Sequence, residues 1–275
     1  MTNVVQWIDV PCAHELRQVQ MRQVNLVCIT HGHKDLWHQD AWQRHQPGEL
    51  LLFAAQTQWR LHNHPGTSGS YKAQVLAVPD AWLQKFHQQQ PDHIAQRVND
   101  LATLPLNGWL LQAWQRVSDP ALAEASEALT QHRVMELLLV LAESGLSFDF
   151  DEGAQLQNRI HALIHHNPGQ NWNVSNLAER FHMSSSTLLR RLQEEGTSAS
   201  QCVRDARLER ALNLLQTTRQ PIGHIAEACG YLSHSRFSAA FEQQFGILPI
   251  KLRQQIQPTK TFPVKKTPIR SVIGV

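Results

Sequence analysis

The sequence predicts an α+β fold, in which a β-rich N-terminal domain is followed by a helical segment and an all-α C-terminal domain. Short apolar runs separated by Gly and Pro fill residues 1–80, which is the pattern of β-strands joined by turns. Apolar residues recur at helical spacing in residues 81–150, and an internal repeat fills the last third. With 275 residues, of which 42% are hydrophobic, the chain is long enough for two cores.

The N-terminal strands are predicted from three runs. Residues 24–30 are rich in β-branched side chains, residues 50–53 follow a Pro-Gly-Glu turn, and Tyr71–Val78 ends at Pro79. Short strands at this spacing predict a β-barrel or a β-sandwich.

Histidines crowd this β-rich region, and the pattern His-x-His occurs twice. Because side chains at i and i+2 of a strand share a face, either pair could offer two imidazoles to one metal ion. However, no suitably placed glutamate follows, and both pairs adjoin Gly or Pro in predicted turns. We therefore expect a pH-responsive or incidental polar cluster, with no metal ligand, no cofactor and no catalytic residue. The histidines are His31, His33, His38, His45, His62 and His64.

The helical segment includes residues 134–141, which are apolar on nearly every side. Such a helix must be buried on more than one side, either in its own domain or against a second chain. Polar residues with glycine then predict a linker at residues 151–157.

The internal repeat begins with the segment LAERF at residues 177–181, which is answered by IAEAC at residues 225–229. The offset is 48 residues from Ala178 to Ala226 and 49 from Leu192 to Phe241, so the second copy has one extra residue in its turn. Each copy predicts a short helix, a tight turn and a second helix. This arrangement is the helix-turn-helix unit, whose second helix can lie in a DNA major groove.

The turn residues and one linking helix support this prediction. Gly230 and His182 suit the left-handed backbone of the two turns, and Ser233 and Ser184 suit the caps that follow them. A capping-box pattern at residues 198–201 begins one helix over about residues 199–217, which is roughly 28 Å long and close to the ~34 Å between successive major-groove faces. One chain could therefore read two adjacent grooves. The alternative is an all-helical packing domain with a coincidental repeat.

The N-terminal and C-terminal parts of the chain differ in net charge. Residues 154–275 carry 15 Lys and Arg against 7 Asp and Glu, whereas residues 1–153 carry 10 against 16. A basic domain attracts DNA phosphates, although these cations could also merely solvate helix surfaces. The basic tail at residues 256–275 is predicted to be disordered and to add unspecific attraction to DNA.

Residues of about 158 to 255 resemble the DNA-binding domain of the AraC/XylS family of bacterial transcription regulators. The chain departs from the family at Leu252, where a tyrosine is usual, and at residues 238–240, which are small and uncharged where a basic residue is common. The resemblance is carried by Leu177, Ala178, residues 184–192, Arg207, Leu208, Ala211, Leu214, Leu215, Pro221, Ile222, Ile225, Ala226, Gly230, Tyr231, Phe237, Phe241, Phe245, Gly246 and Pro249.

The resemblance implies a cupin-like barrel at residues 1–80, a dimerisation role for the helical segment 81–150, and two sets of DNA-reading residues. Arg190 could bind guanine O6 and N7, the serines could bond to any base, and Leu189 could touch a thymine methyl group. His234 and Arg236 could equally contact phosphates. The implied DNA-binding residues are Ser185, Ser186, Thr187, Leu189 and Arg190 in the first unit and His234, Ser235, Arg236 and Ser238 in the second.

These observations predict a sequence-specific transcription regulator that is not an enzyme, and we expect an activator. Its N-terminal domain is expected to sense a small effector or a partner, and its partners are double-stranded DNA at promoter half-sites, a second copy in a homodimer and, in an activator, RNA polymerase. The sequence has no apolar run of 18 residues, no signal-peptide pattern and no paired cysteines, so we expect a cytoplasmic protein without a membrane partner. The alternatives are a metal-binding cupin-type enzyme and an architectural DNA-binding protein.

Overall fold

The computed structural model describes residues 5–67, 69–90, 95–149 and 156–256. The linker predicted at residues 151–157 lies largely outside these ranges, and so does all but the first residue of the predicted tail.

The N-terminal domain is built from two antiparallel sheets. The five-stranded sheet has the order β1-β8-β3-β6-β10 and the four-stranded sheet the order β2-β7-β4-β5. The strands are β1 Val5–Val10, β2 His14–Met21, β3 Val24–His31, β4 His33–His38, β5 Ala41–His45, β6 Glu49–Phe53, β7 Thr57–His64, β8 Tyr71–Val78, β9 Gln96–Arg97, β10 Leu101–Pro105 and β11 Leu146–Ser147.

The five-stranded sheet is the middle layer of this domain. Leu51 and Phe53 pack in one core with Leu36 and Leu61 of the other sheet, whereas Leu50 and its neighbours on the opposite face pack against helices. Because both faces are covered, β6 is apolar at four consecutive positions instead of alternating. Within the described residues no ladder joins the two sheets, so they form an open sandwich there and the predicted cupin-like barrel is not confirmed.

The segment predicted to be helical contains strands as well as helices. Strand β10 pairs with β6 as the edge of the five-stranded sheet, and β9 pairs with β11. Pro105 ends β10, where an edge position tolerates its missing N–H. The boundary predicted at residue 80 therefore divides one sheet. The helices are α1 Asp80–Gln89, α2 Gly108–Val117, a 3₁₀ helix Pro120–Glu124 and α3 Glu127–Glu143.

Helix α3 contains the nearly apolar run. Val134, Leu137 and Leu141 are at most 1% exposed and pack with α1, α2 and the five-stranded sheet, while Leu139 and Val140 pack partly against the same core. The intrachain core, one of the two alternatives for this run, accounts for its burial.

The C-terminal domain is entirely helical and follows the predicted repeat. Two helix pairs, α5 with α6 and α8 with α9, are joined by α7, whose bounds are those predicted from the capping box and the apolar period. The helices are α4 Leu156–His166, α5 Val174–Arg180, α6 Ser185–Glu194, α7 Ala199–Thr217, α8 Ile222–Ala228, α9 His234–Phe245 and α10 Pro249–Ile256. Among the described helices, none has the length and hydropathy that a membrane span requires.

The two domains share a core. Leu208, Leu212 and Phe245 of the C-terminal domain belong to the same buried cluster as Leu16 and Phe53 of the sandwich. Helix α7 lies against β1, and α9 lies against β2. The helix that joins the two helix-turn-helix units therefore also contacts the N-terminal domain.

Candidate nucleic-acid interface and effector cavity

The turns of the two helix-turn-helix units have the predicted backbone. His182 has φ of 53° and Gly230 has φ of 78°, both in the left-handed region. A Cβ on Gly230 would lie 2.8 Å from the carbonyl oxygen of Pro168 and 2.6 Å from Nη2 of Arg207. The turn of the second unit therefore needs glycine for both its backbone angle and its packing.

Serine side chains cap both second helices. The hydroxyl of Ser184 accepts a hydrogen bond from the Thr187 amide at 3.1 Å, and that of Ser233 accepts one from the Arg236 amide at 3.4 Å. Ser198 caps α7 in the same way, but the side chain of Gln201 bonds Asp205 instead of returning to the cap, so only half of the predicted capping box forms.

The first reading helix, α6, exposes the side chains that the resemblance assigned to DNA. Leu188 and Leu192 are fully buried and fix the helix on its core, while Leu189 is 45% exposed. Arg190 donates from Nη1 to Glu194 Oε1 at 2.7 Å, an exposed pair one helical turn apart that a DNA base or phosphate could replace at little cost. Ser185 and Ser186 are exposed and Thr187 is half-buried.

The second helix of the second unit, α9, exposes fewer of the side chains that the resemblance assigned to DNA. Phe237 and Phe241 are buried, and His234, Ser235 and Arg236 are exposed at its first turn, whereas Ser238 is half-buried. No basic side chain follows Arg236 on this helix, so the positive charge of the helix surface lies at its N-terminal end.

An open groove with three arginines lies between α7 and α9. Arg204, Arg207 and Arg236 line it with Trp172 and Tyr231. Arg207 donates from Nε to the Pro168 carbonyl at 2.9 Å and from Nη2 to the Gln170 carbonyl at 3.0 Å, so it ties down the loop before α5. The alternative that the arginines of α7 only solvate its surface is therefore wrong for Arg207.

A second cavity, of about 220 Å³, lies between the sandwich and the C-terminal domain. Apolar side chains of the sandwich supply most of its wall, and α7 and α9 close the other side. Its lining includes Ile8, Leu16, Val27, Lys34, Phe53, Leu61, Asn63, Tyr71 and Val75 of the sandwich and His165, Glu209, Leu212 and Phe245 of the helical domain.

Lys34 places an amine in this apolar cavity. It is 5% exposed, and its Nζ donates to Asn63 Oδ1 at 2.5 Å and lies 5.3 Å from the centre of the Tyr71 ring. Burial lowers the pKa of Lys34 to about 7, because the apolar surroundings disfavour the charged form of the amine. The Tyr71 hydroxyl is buried without a hydrogen-bond partner. The cavity thus contains an amine and a hydroxyl that could bind an acceptor.

Lys34 was not among the predicted site residues, although the sequence carries a signal for it. In the strand His33–His38, Lys34 alternates in phase with Leu36, which places both on the buried face. A lysine on the apolar face of a predicted strand marks an unusual site, because lysine is almost never fully buried without a partner.

An ionic network joins the sandwich to α7. Arg22 donates from Nε to Glu209 Oε1 at 3.1 Å and from Nη2 to Asp205 Oδ2 at 3.4 Å. His161 of α4 lies 2.6 Å from the other Glu209 oxygen. Burial opposes ionisation of Glu209, but the neighbouring side chains of His161 and Arg22 outweigh it and lower the pKa of this carboxyl group.

The histidines of the sandwich separate into different environments. His31 and His33 lie on different strands, on either side of Gly32, as their predicted turn requires, whereas His62 and His64 both lie within β7. His38 lies 2.7 Å from Asp100, and His45 is buried beside Glu49.

Comparison with known proteins agrees with the predicted DNA-binding domain. Residues 177–255 match the family described as "Helix-turn-helix domain". The chain is 33% identical over 100 residues to the HTH-type transcriptional regulator GadX of Escherichia coli O6:H1. The aligned segment covers 36% of each chain. It is 29% identical over 137 residues to the HTH-type transcriptional regulator YdeO of Escherichia coli K12, which is 47% of this chain and 54% of YdeO. These matches thus span about a third to a half of the relatives' length.

Similarity of the whole fold extends further than similarity of sequence. ToxT from Vibrio cholerae, in a crystal structure with an unsaturated fatty acid bound, superposes with a TM-score of 0.63 over 92% of this chain and 95% of ToxT, at 16% identity. A further crystal structure of ToxT gives a TM-score of 0.64. The chain therefore has the fold of ToxT, and its C-terminal part is a helix-turn-helix domain.

Proposed function

We propose that this chain is a DNA-binding transcription regulator that reads two adjacent major-groove segments with α6 and α9. The observation that carries the proposal is the pair of capped helix-turn-helix units, each with exposed polar side chains at the start of its second helix, on a domain with an excess of cations. The relatives over this region are named transcriptional regulators, which supports regulation over the enzyme and architectural alternatives.

Within this function, Arg190 is the strongest candidate for base recognition. It is the only basic residue among the five assigned to α6, and its exposed partner Glu194 holds it only weakly. Arg236 and His234 stand at the N-terminus of α9, where phosphate contacts are common, so the second unit is proposed to position the protein more than to specify a sequence.

We further propose that the cavity between the domains binds an apolar molecule with a carboxylate group. An ionised carboxylate at Lys34 would add a charged partner to a buried amine that otherwise bonds the neutral amide of Asn63, and the Tyr71 hydroxyl could donate a second hydrogen bond. The bound fatty acid of ToxT, which has the same fold, supports this ligand class. At about 220 Å³ the cavity is smaller than the roughly 300–1,000 Å³ of typical ligand pockets, which favours a short-chain acid.

The position of the cavity supports coupling between ligand and DNA. Because α7 and α9 form one of its walls, a ligand that fits one arrangement of the domains better than another would shift the population of DNA-binding states. A homodimer would raise occupancy of paired half-sites, and an activator would in addition contact RNA polymerase.

Selection of bound fragments from a random DNA pool by the full chain tests the DNA-binding proposal. Enrichment of two boxes about one helical turn apart is expected, and affinity should fall steeply with salt. Equal binding to all sequences, with and without an effector, would contradict sequence-specific regulation and favour the architectural alternative.

Calorimetric titration with octanoate and with 1-octanol, which has the same chain length without a carboxylate, tests the ligand class. Octanoate is expected to bind the wild-type chain more tightly than octanol, and Lys34→Met should remove this preference. Lys85→Met, which changes an exposed lysine of α1, should leave the preference unchanged. Equal affinity of the wild-type chain for acid and alcohol would contradict the proposed role of Lys34.

A further inference from the structure

The outer face of the four-stranded sheet carries a group of side chains that neither the DNA interface nor the cavity uses. Because side chains alternate along a strand, His33 and Asp35 of β4 point to the face opposite Lys34. On neighbouring β7, His64 stands opposite His33 in the ladder, and His62 stands opposite Asp35. Three histidines and one carboxylate therefore meet at this end of the sheet.

The donor atoms of His33, Asp35 and His64 lie within 4.8 Å of one another. The rings of His33 and His64 are stacked with their centroids 4.4 Å apart, and His64 Nε2 lies 3.1 Å from Asp35 Oδ2. Two nitrogen or oxygen donors on one tetrahedral zinc ion are about 3.4 Å apart, so the approach required is at most about 1.4 Å. Small rotations of these side chains would bring all three donors to a single ion.

Two of these donors lack a hydrogen bond. Nε2 of His33 and Nε2 of His64 are buried atoms without a hydrogen-bond partner, since the approach of His64 to Asp35 lacks hydrogen-bond geometry. A buried ring nitrogen without a partner loses its bond to water and gains none from the protein.

Gly32 keeps the start of β4 close to the end of β7. It has φ of 78°, and a Cβ at this position would lie 2.2 Å from the carbonyl oxygen of His64. The β3–β4 turn therefore passes so close to the end of β7 that only glycine fits, and His33, the next residue, is fixed beside His64.

We propose that His33, Asp35 and His64 bind a divalent first-row transition metal ion of the zinc class. Two imidazoles and one carboxylate suit this class of ion and leave at least one coordination position for water or another donor. Side-chain exposures of 24% for His64 and 13% for Asp35 leave the ion a path from solvent.

Arg44 is the group that competes with the ion. It donates from Nε to Asp35 Oδ1 at 2.9 Å and from Nη2 to Oδ2 at 3.1 Å. Oδ2 is the oxygen that faces His64, so the ion would take Oδ2 and leave Arg44 on Oδ1. Arg44 would then hold the carboxylate from the side away from the metal, as outer-shell partners do.

This site is not a His-x-His pair within one strand. The proposed ligands come from two paired strands and include an aspartate. The site is also independent of the effector cavity, because Lys34 between His33 and Asp35 faces the opposite side of the sheet. Its failure would leave the proposed function untouched.

Calorimetric titration of the untagged full chain with Zn²⁺, after dialysis against a chelator, tests the proposal. One ion per chain is expected to bind the wild-type chain, and the double variant His33→Ala/His64→Ala should lose this binding. Asp35→Asn keeps the side-chain shape. Loss of a residue that only supports a metal ligand typically weakens metal affinity roughly 10- to 100-fold, and Asp35→Asn should weaken it by more. Circular dichroism checks that each variant is folded, and Asp35→Asn still tests the site if the double variant is not.

The matched control is His31→Ala, which removes the other histidine of the first His-x-His pair and should bind Zn²⁺ as tightly as the wild-type chain. Binding of Co²⁺ should give ligand-field bands without a thiolate charge-transfer band, because no cysteine belongs to the group. Absence of saturable Zn²⁺ binding by the wild-type chain would overturn the proposal. So would binding that survives the double variant or that depends on His31.

Discussion

Lys34 is an amine kept in an apolar interior, and its protonation links the stability of the sandwich to pH. Its folded-state pKa is about 7, below the ordinary value of about 10.4 for a lysine in an unfolded chain. Between these two values the unfolded state binds more protons than the folded state. Stability must therefore rise with pH in this range, by up to about 1.4 kcal/mol per pH unit from this residue.

Lys34→Met is predicted to remove this dependence. Methionine fills a similar volume without a charge, so the variant should be more stable than the wild-type chain near pH 7 and should gain less between pH 7 and 10. Urea unfolding followed by tryptophan fluorescence at a series of pH values measures the difference. Lys72→Met, a half-exposed change on β8, should keep the wild-type slope, and a wild-type slope equal to that of Lys34→Met would contradict the buried-amine interpretation.

Arg190 is the residue on which base discrimination by the first unit is predicted to depend. Arg190→Ala should cost roughly 1 to 3 kcal/mol at one base step and relax the preference there. Competition binding with single-base variants of the selected fragment measures this. Arg191→Ala, also exposed on α6, should weaken binding to all variants alike. Uniform weakening by Arg190→Ala would instead identify a phosphate contact.

Among the elements, the turns of the C-terminal domain depend on glycine to different degrees. Gly230 and Gly196 both have left-handed backbones, with φ of 78° and 72°. A Cβ at Gly196 meets nothing within 4 Å, whereas one at Gly230 meets a backbone carbonyl at 2.8 Å. The two positions separate the effect of backbone strain from that of packing.

Gly196→Ala is predicted to cost about 1–2 kcal/mol from the backbone alone, and Gly230→Ala to cost clearly more. The additional contact forces the loop at Pro168 away from the second unit. The DNA affinity of Gly230→Ala should therefore be lower than that of Gly196→Ala. Thermal unfolding and DNA affinity of the two variants provide the measurement. Equal losses would mean that the loop shifts without cost.

The elements also show which parts of the fold could be predicted from sequence. Helix α7 was predicted at its observed bounds, because a cap and a helical period are local signals. Strand β10 was missed, because residues 101–105 become a strand only through pairing with β6, which lies about fifty residues earlier in the chain. The His33, Asp35 and His64 group could not be predicted for the same reason, since it depends on the register between β4 and β7.

At the scale of the whole molecule, the sandwich and the DNA-binding domain are held together by a shared core and by the network around Arg22. The side chains of Arg22, Asp205 and Glu209 are 15%, 18% and 19% exposed, so the network is partly shielded from water. Breaking a fully buried ion pair by removing one partner costs roughly 3–5 kcal/mol, and a smaller cost applies here because of the remaining exposure.

Arg22→Ala is therefore predicted to loosen the contact between α7 and the sandwich while each domain keeps its own core. If this contact restrains the helix that joins the two reading units, the variant should bind the selected DNA fragment several-fold more tightly than the wild-type chain without effector, and added octanoate should change its affinity less. Fluorescence anisotropy with labelled DNA, at one salt concentration, measures both effects.

The control for Arg22→Ala is Arg97→Ala. Arg97 is an exposed arginine of β9 that pairs with Asp149, so its removal changes the net charge equally without touching Asp205 or Glu209. Equal DNA affinities for the two variants would mean that the increase comes from charge alone. If Arg22→Ala instead binds DNA more weakly than the wild-type chain, the prediction is wrong. The Arg22 contacts would then hold α7 in the arrangement that DNA binding requires.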